Sequence, residues 1–171
     1  SLIDNLLEGK TSIASQPAPR IAFGYNNTLE EIQYDPLKAK TLLTQAGYPN
    51  GFKFVVQGVL GAGANHSAMY QKVSQDLLKV GVTMEIHPIP ISQLIRGVMK
   101  GEWKGDAFGS TYATEPTLDV LRPLRNHSCL WSHPWYCNQK IMPKIKDALK
   151  TFDINKALKL RHEIMSFYRN E

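Results

Sequence analysis

Between Tyr34 and Ser110 the hydrophobic spacing alternates between helical and strand periods, with glycine or proline at the changeovers, and few folds accommodate that alternation. Asp35 is placed to cap a helix, Pro36 fits a first turn that needs no N–H, and Gly47 supplies a left-handed stop, so the spacing predicts a helix over about Pro36 to Ala46. Its apolar face is Ala39, Leu42, Leu43 and Ala46, with Lys38, Lys40 and Gln45 in solvent. Lys53 to Gln57 is β-branched and aromatic enough for a strand, bounded by Gly51 and by Gly58, Gly61 and Gly63. Met69, Val73, Leu77 and Val80 predict a helix over about His66 to Val80 that stops at Gly81. Val82, Met84 and Ile86 then alternate with Thr83, Glu85 and His87 as a half-buried strand ended by Pro88 and Pro90. Ser92 is placed to cap the next helix, with Leu94, Ile95, Val98 and Met99 inside and Gly101 closing it, and Asp106 to Ser110 reads as a third strand. The class expected is α/β, a mixed or mainly parallel sheet flanked by helices, with right-handed crossovers between parallel neighbours.

The remainder fits around that rhythm. Ser1 to Gly9 reads as a short helix and Thr11 to Arg20 as a loop crossing the surface, which makes 1–33 a leading helix and loop and 34–171 the α/β core. Two further helices are expected between Met142 and Arg169, the first with Pro143 in its opening turn and the second led by Asp153 or Asn155. A length of 171 residues and an ordinary 43% hydrophobic content suit one domain with its own core. No apolar run reaches the roughly 20 residues of a membrane helix, and Ser1 to Asn5 lacks the pattern of a secretion signal. The net charge of +5 raises nucleic-acid binding as a function class. Its distribution argues against it: Lys140, Lys144, Lys146, Lys150, Lys156, Lys159 and Arg161 are read as the solvent side of helices whose other face is Ile145, Leu149, Leu158 and Met165.

The run from Asp35 to Phe52 resembles the D-P-x-K-A-x-x-L-L-x-x-A-G-Y-x-x-G-F signature of extracytoplasmic solute-binding proteins of the dipeptide, oligopeptide and nickel class, family 5, which serve ABC importers. Met69 to Val82 is similar to that family's helix ending in L-x-x-V-G-I, and Met99 to Asp106 to its next helix end. Trp131-Ser132-His133-Pro134 resembles W-x-N-P, and Asp153 to Ala157 a D-x-x-x-R helix start. The resemblance implies a periplasmic-binding-protein-like lobe, with residues 1–171 a single C-terminal lobe fragment of a longer two-lobe protein whose first lobe and signal peptide lie upstream. It further implies a non-catalytic, monomeric receptor without cofactor. Such a receptor captures a small-molecule or peptide solute by hinge closure and delivers it to an ABC transporter permease. The location implied is periplasmic or extracytoplasmic, with membrane association only through the transporter or an upstream lipid anchor.

Candidate site residues follow from both readings. The oxidising compartment implied by the resemblance makes a Cys129–Cys137 disulfide the leading interpretation, while the residues alone also offer His127, Cys129, His133 and Cys137 as a tetrahedral zinc set, in an order that is not a recognised pairing. Ser110, Thr111, Tyr112 and Thr114 follow the third strand, where an open α/β sheet exposes its binding edge. They resemble the family's ligand loop, in which peptide binders carry an Asp for the peptide amino group ahead of a D/E-P step. Glu115-Pro116 matches that step, but nothing between Gly109 and Thr114 is acidic, so a peptide and a non-peptide polar solute both stay open. The hydroxyls either meet a ligand or satisfy the loop backbone; Trp131, with Trp135 and Tyr136, forms either a ligand wall or packing around the disulfide. Gly58, Gly61 and Gly63 allow close backbone approach to a ligand or partner lobe, but they do not make a phosphate cradle and read first as a mobile surface loop. No serine sits in a G-x-S-x-G elbow, and Asp106, Glu115 and Asp119 read as loop, cap or surface carboxylates, so no enzyme and no metal are expected.

Overall fold

The computed structural model describes residues 9, 11, 13–59, 65–111, 113–125 and 127–171. Apart from Gly9, the helix expected over Ser1 to Gly9 lies outside them. The elements are α1 (Pro36–Gln45), β1 (Lys53–Gly58), α2 (His66–Leu78), β2 (Thr83–Pro88), α3 (Ile91–Lys100), β3 (Ala107–Phe108), α4 (Leu121–Leu124), α5 (Met142–Lys150) and α6 (Ile154–Asn170). Tertiary contacts group the described residues into two compact units that interleave along the chain, instead of dividing it at 33/34. Unit 1 holds Gln33–Gly97 and Glu102–Ser110; unit 2 holds Ile13–Ile32, Val98–Gly101 and Thr111–Glu171. Interleaving of this kind leaves no shift in composition for a sequence reader to find.

Unit 1 is the α/β unit. Asp35 Oδ1 accepts from Lys38 N at 2.9 Å and opens α1. At its other end Gly47, at φ 87°, lets Gly47 N reach Thr44 O and Tyr48 N reach Leu43 O, the paired bonds of a Schellman stop. The predicted apolar face is not covered: no residue of α1 is buried, and Leu42 is 54% exposed. Periodicity fixes which residues share a face, not what meets it. The sheet is parallel throughout in the order β2-β1-β3, with Lys53 opposite Thr83 through Gly58 opposite Pro88, and Val56 and Gln57 opposite Ala107 and Phe108. β3 is shorter than the expected Asp106 to Ser110: Asp106 N donates to Val55 O at 2.9 Å, but Val55 N turns to the Asp106 side chain, Oδ2 at 2.8 Å, in place of a strand carbonyl, and regular pairing begins at Ala107.

α3 departs from expectation in two ways. It starts at Ile91, and Pro90 O takes the first amide bonds, from Gln93 N and Leu94 N, so Ser92 lies within the first turn and does not cap it. The buried position is Gly97, where an added Cβ would lie 2.5 Å from the Trp103 ring, whereas Ile95 and Met99 are exposed. Trp103 in turn stacks on Phe108 at 4.1 Å, a ring contact that hydrophobic spacing along α3 does not encode.

Unit 2 has a helical core of Val120, Leu121, Leu124, Ile141, Met142, Ile145, Ala148, Ile164 and Met165, with Ala18 and Ala22 packed into it. The segment expected as a surface loop is therefore partly interior: Ser15, Gln16 and Ala18 are buried. Two amides make this tolerable. Gln16 Nε2 donates to Asn26 O and Asn26 N to Gln16 Oε1, both at 3.0 Å, while Asn26 Nδ2 reaches His162 O and Ser166 Oγ on α6. Ile145 and Met165 are buried as expected, but Leu149 and Leu158 are exposed. The basic residues keep to solvent except Arg161, which is 8% exposed and inside the unit.

Arg161 ties four segments of unit 2 together. Its Nε lies 3.1 Å from both Asp119 oxygens and its Nη2 2.7 Å from Oδ2, while Nη1 donates to Ala148 O and Ala157 O. The guanidinium lies over the Phe23 ring at 4.9 Å, and Phe23 N and O bond to Leu118 O and Val120 N, so the ring is fixed beside the same carboxylate. Asp119 Oδ1 also accepts from Leu121 N at 2.9 Å.

Candidate functional site at the carboxyl edge of the sheet

The strand order β2-β1-β3 places the first crossover on one side of β1 and the next on the other, so the direction of winding reverses between β1 and β3. In open parallel sheets the gap outside the carboxyl ends at such a reversal is where ligands enter, because the two connections diverge there. In unit 1 that edge is formed by Gly58, Gly109 and Ser110. Gly109 N extends the ladder by donating to Gln57 O at 2.8 Å, and Ile89 N donates to Gly58 O at 3.0 Å on the other side.

Tyr70, on α2, lies across this edge. A Cβ on Gly109 would sit 1.5 Å from Tyr70 Oη, and one on Gly58 3.0 Å from its Cζ, so the phenol occupies a notch that glycine just beyond β3 keeps open and glycine at the end of β1 keeps uncrowded. Burial pushes the Tyr70 hydroxyl above its ordinary range, which keeps it protonated and able to donate. Gly58 is thus a buried strand end and not part of a mobile loop; Gly61 and Gly63 lie outside the described residues. Sequence reasoning passed over Tyr70 because it read α2 by its apolar period. The available signal was glycine at the end of one strand and just beyond another.

The expected ligand-loop residues are divided. Ser110 is exposed and belongs to unit 1; Thr111 is exposed and belongs to unit 2; Tyr112 lies outside the described residues. Thr114 is corrected: it is 1% exposed, and its carbonyl takes Leu118 N and Thr117 Oγ1, so it holds a turn within unit 2 and offers no ligand a hydroxyl. The turn contains a cis Glu115–Pro116 bond, with Glu115 in solvent. Trp131 is half-buried; its Nε1 donates to Val98 O at 2.8 Å and Arg125 lies 5.7 Å over its ring.

Cys129 and Cys137 form a disulfide with their Cα atoms 4.6 Å apart. Both sulfurs are consumed, so the His127, Cys129, His133 and Cys137 zinc set is not assembled. Among the described residues no three His, Cys, Asp or Glu side chains gather as metal ligands. His127 instead packs against Trp135, Tyr136 and Tyr168, with centroids 6.1, 5.6 and 5.5 Å away. Tyr168 Oη donates to His127 O at 2.8 Å, and burial holds the His127 imidazole below its ordinary range. A cavity of about 420 Å³ opens in unit 2 beside the Asp119–Arg161 pair, walled by Leu121, Leu130 and Ile145. No helix among the described residues is long and apolar enough to cross a membrane.

Comparison with known proteins adds a family. The profile of the bacterial extracellular solute-binding proteins, family 5 Middle, matches residues 1–128. Heme-binding protein A of Haemophilus influenzae is 32% identical over 131 residues, 75% of this chain and 24% of that protein. Glutathione-binding protein GsiB of Shigella flexneri is 30% identical over 147 residues, 79% of this chain and 28% of that protein. The chain therefore spans about a quarter of these relatives. Among solved structures, HbpA2 from Haemophilus parasuis superposes with a TM-score of 0.80 at 22% identity, over 98% of this chain and 34% of that one, a likeness of fold.

Proposed function

From a chain that belongs to the bacterial extracellular solute-binding proteins, family 5, we propose a non-catalytic, extracytoplasmic role: these residues supply one wall of a solute cleft in a monomeric receptor that hands its cargo to an ABC transporter permease. The observation that carries this reading is the family match over residues 1–128, because that stretch contains the whole parallel sheet and the carboxyl edge where β1 and β3 end. Ser110, Thr111, Tyr112 and Trp131 are the residues we assign to the solute side. Relatives named for heme and for glutathione indicate how widely cargo varies within one scaffold. The absence of an acidic residue from Gly109 to Thr114 favours a solute that presents no free ammonium group to this loop.

A single wall leaves most of a ligand's surface in water, so residues 1–171 alone bind weakly. Isothermal calorimetry of this chain against glutathione, hemin and an alanyl dipeptide is expected to give no saturation at micromolar concentrations. Sub-micromolar binding of any of them would show that the chain is a complete receptor and refute the one-wall reading.

A further inference from the structure

We infer that Tyr70 is a solute-contacting, specificity-determining residue, and that the group it reads is an uncharged acceptor, an amide carbonyl or hydroxyl, next to an apolar or planar part of the solute. The inference rests on the reading of the carboxyl edge as solute-facing. Gly58, Tyr70, Gly109 and Ser110 all lie within unit 1. The Tyr70 ring spans the ends of the two strands that border the winding reversal, in the notch left by Gly58 and Gly109. Its hydroxyl has no hydrogen-bond partner among the described residues, although it is half-buried. A phenol so placed is held by packing on its ring while its one donor remains uncommitted, the arrangement that lets a buried edge discriminate by hydrogen bonding.

The rest of the edge sets the charge class. Gly58, Val59, Gly109 and Ser110 contribute backbone, one partly exposed valine and one hydroxyl, and none carries a charge, while the neighbouring Ile89 is buried. An anion there would meet no cation from these residues and an ammonium no carboxylate, whereas a carbonyl or hydroxyl finds a donor in Tyr70 Oη and another in Ser110 Oγ. The ring face offers the adjoining apolar part of the solute a surface to pack on.

Proton–nitrogen correlation spectra of residues 1–171, titrated with glutathione and with N-acetylphenylalaninamide, test this. Millimolar probe is expected to shift the Gly58, Gly109 and Ser110 amides. Tyr70→Phe, which removes only the hydroxyl, should weaken the response about fivefold with the remaining spectrum unchanged. Ser67→Ala, an exposed change on the same helix, should leave it as it was. If the edge amides shift equally in Tyr70→Phe and in the parent chain, the role of Tyr70 is overturned while the solute-facing edge stands. If neither probe shifts those amides in the parent chain, the edge reading fails and the inference falls with it.

Discussion

Asp119→Ala isolates the most consequential interaction of unit 2. The substitution leaves Arg161 in place, 8% exposed, with three of its hydrogen-bond contacts gone and only the Ala148 and Ala157 carbonyls and the Phe23 ring remaining. Removing one member of a buried pair strands a charge and typically costs about 3–5 kcal/mol. Two features place this case at the low end: the Asp119 side chain is 22% exposed, and the adjacent cavity lets water reach the guanidinium. A loss of about 3 kcal/mol lowers the midpoint of a chain this size by about 6–12 °C, measurable by circular dichroism on heating and by the urea midpoint. Asp119→Leu combined with Arg161→Met replaces both charges with apolar volume and should recover to within about 1 kcal/mol of the parent. The reasoning is refuted if Asp119→Ala loses less than about 1 kcal/mol, or if the double variant is as unstable as the two single losses added together.

Two further outcomes are expected. Because burial depresses His127 in the folded chain, the unfolded chain holds more protons between that lowered value and the ordinary pKa of about 6.5. The His127 contribution is therefore complete above about pH 6.5 and is lost as the pH falls toward the folded value; urea midpoints across this window should decline in the parent chain and level out in His127→Phe. Reducing the Cys129–Cys137 bond, or replacing both cysteines with serine, should lower stability by about 2–3 kcal/mol from loop-closure entropy, read as a shift in urea midpoint with and without reductant.

What the sequence disclosed was local or belonged to a shared pattern. The Asp35 cap and Gly47 stop of α1, the alternation of strands and helices, the parallel sheet and the cysteine pairing all depend on neighbours in the chain or on the family signature. Arg161 escaped because its helix positions lie among lysines and its carboxylate partner is 42 residues away. The Gln16–Asn26 amide pair was invisible because polar residues near prolines look like loop wherever a buried partner is not itself apparent. Ser92 was a good cap by type, yet the Pro90 carbonyl, two residues earlier, already accepts the first amides of the helix. At the site, hydroxyls after β3 drew attention to Thr114, whose side chain turned inward, and away from Tyr70, whose importance comes from two glycines on other elements.

The hydrogen bond from Asn26 to His162 spans 136 residues. A ribosome adding about 5–20 residues each second therefore makes Asn26 roughly seven to twenty-seven seconds before the stretch of helix that will receive its amide. During that interval Ala18, Ala22 and the Gln16–Asn26 pair have no α6 to dock on, while every strand of the parallel sheet is completed. Unit 1 can close its sheet as it emerges; unit 2 must wait until α6 has been made before 13–32 can dock on it. Until α6 is made, the 13–32 segment of unit 2 stays open to a chaperone.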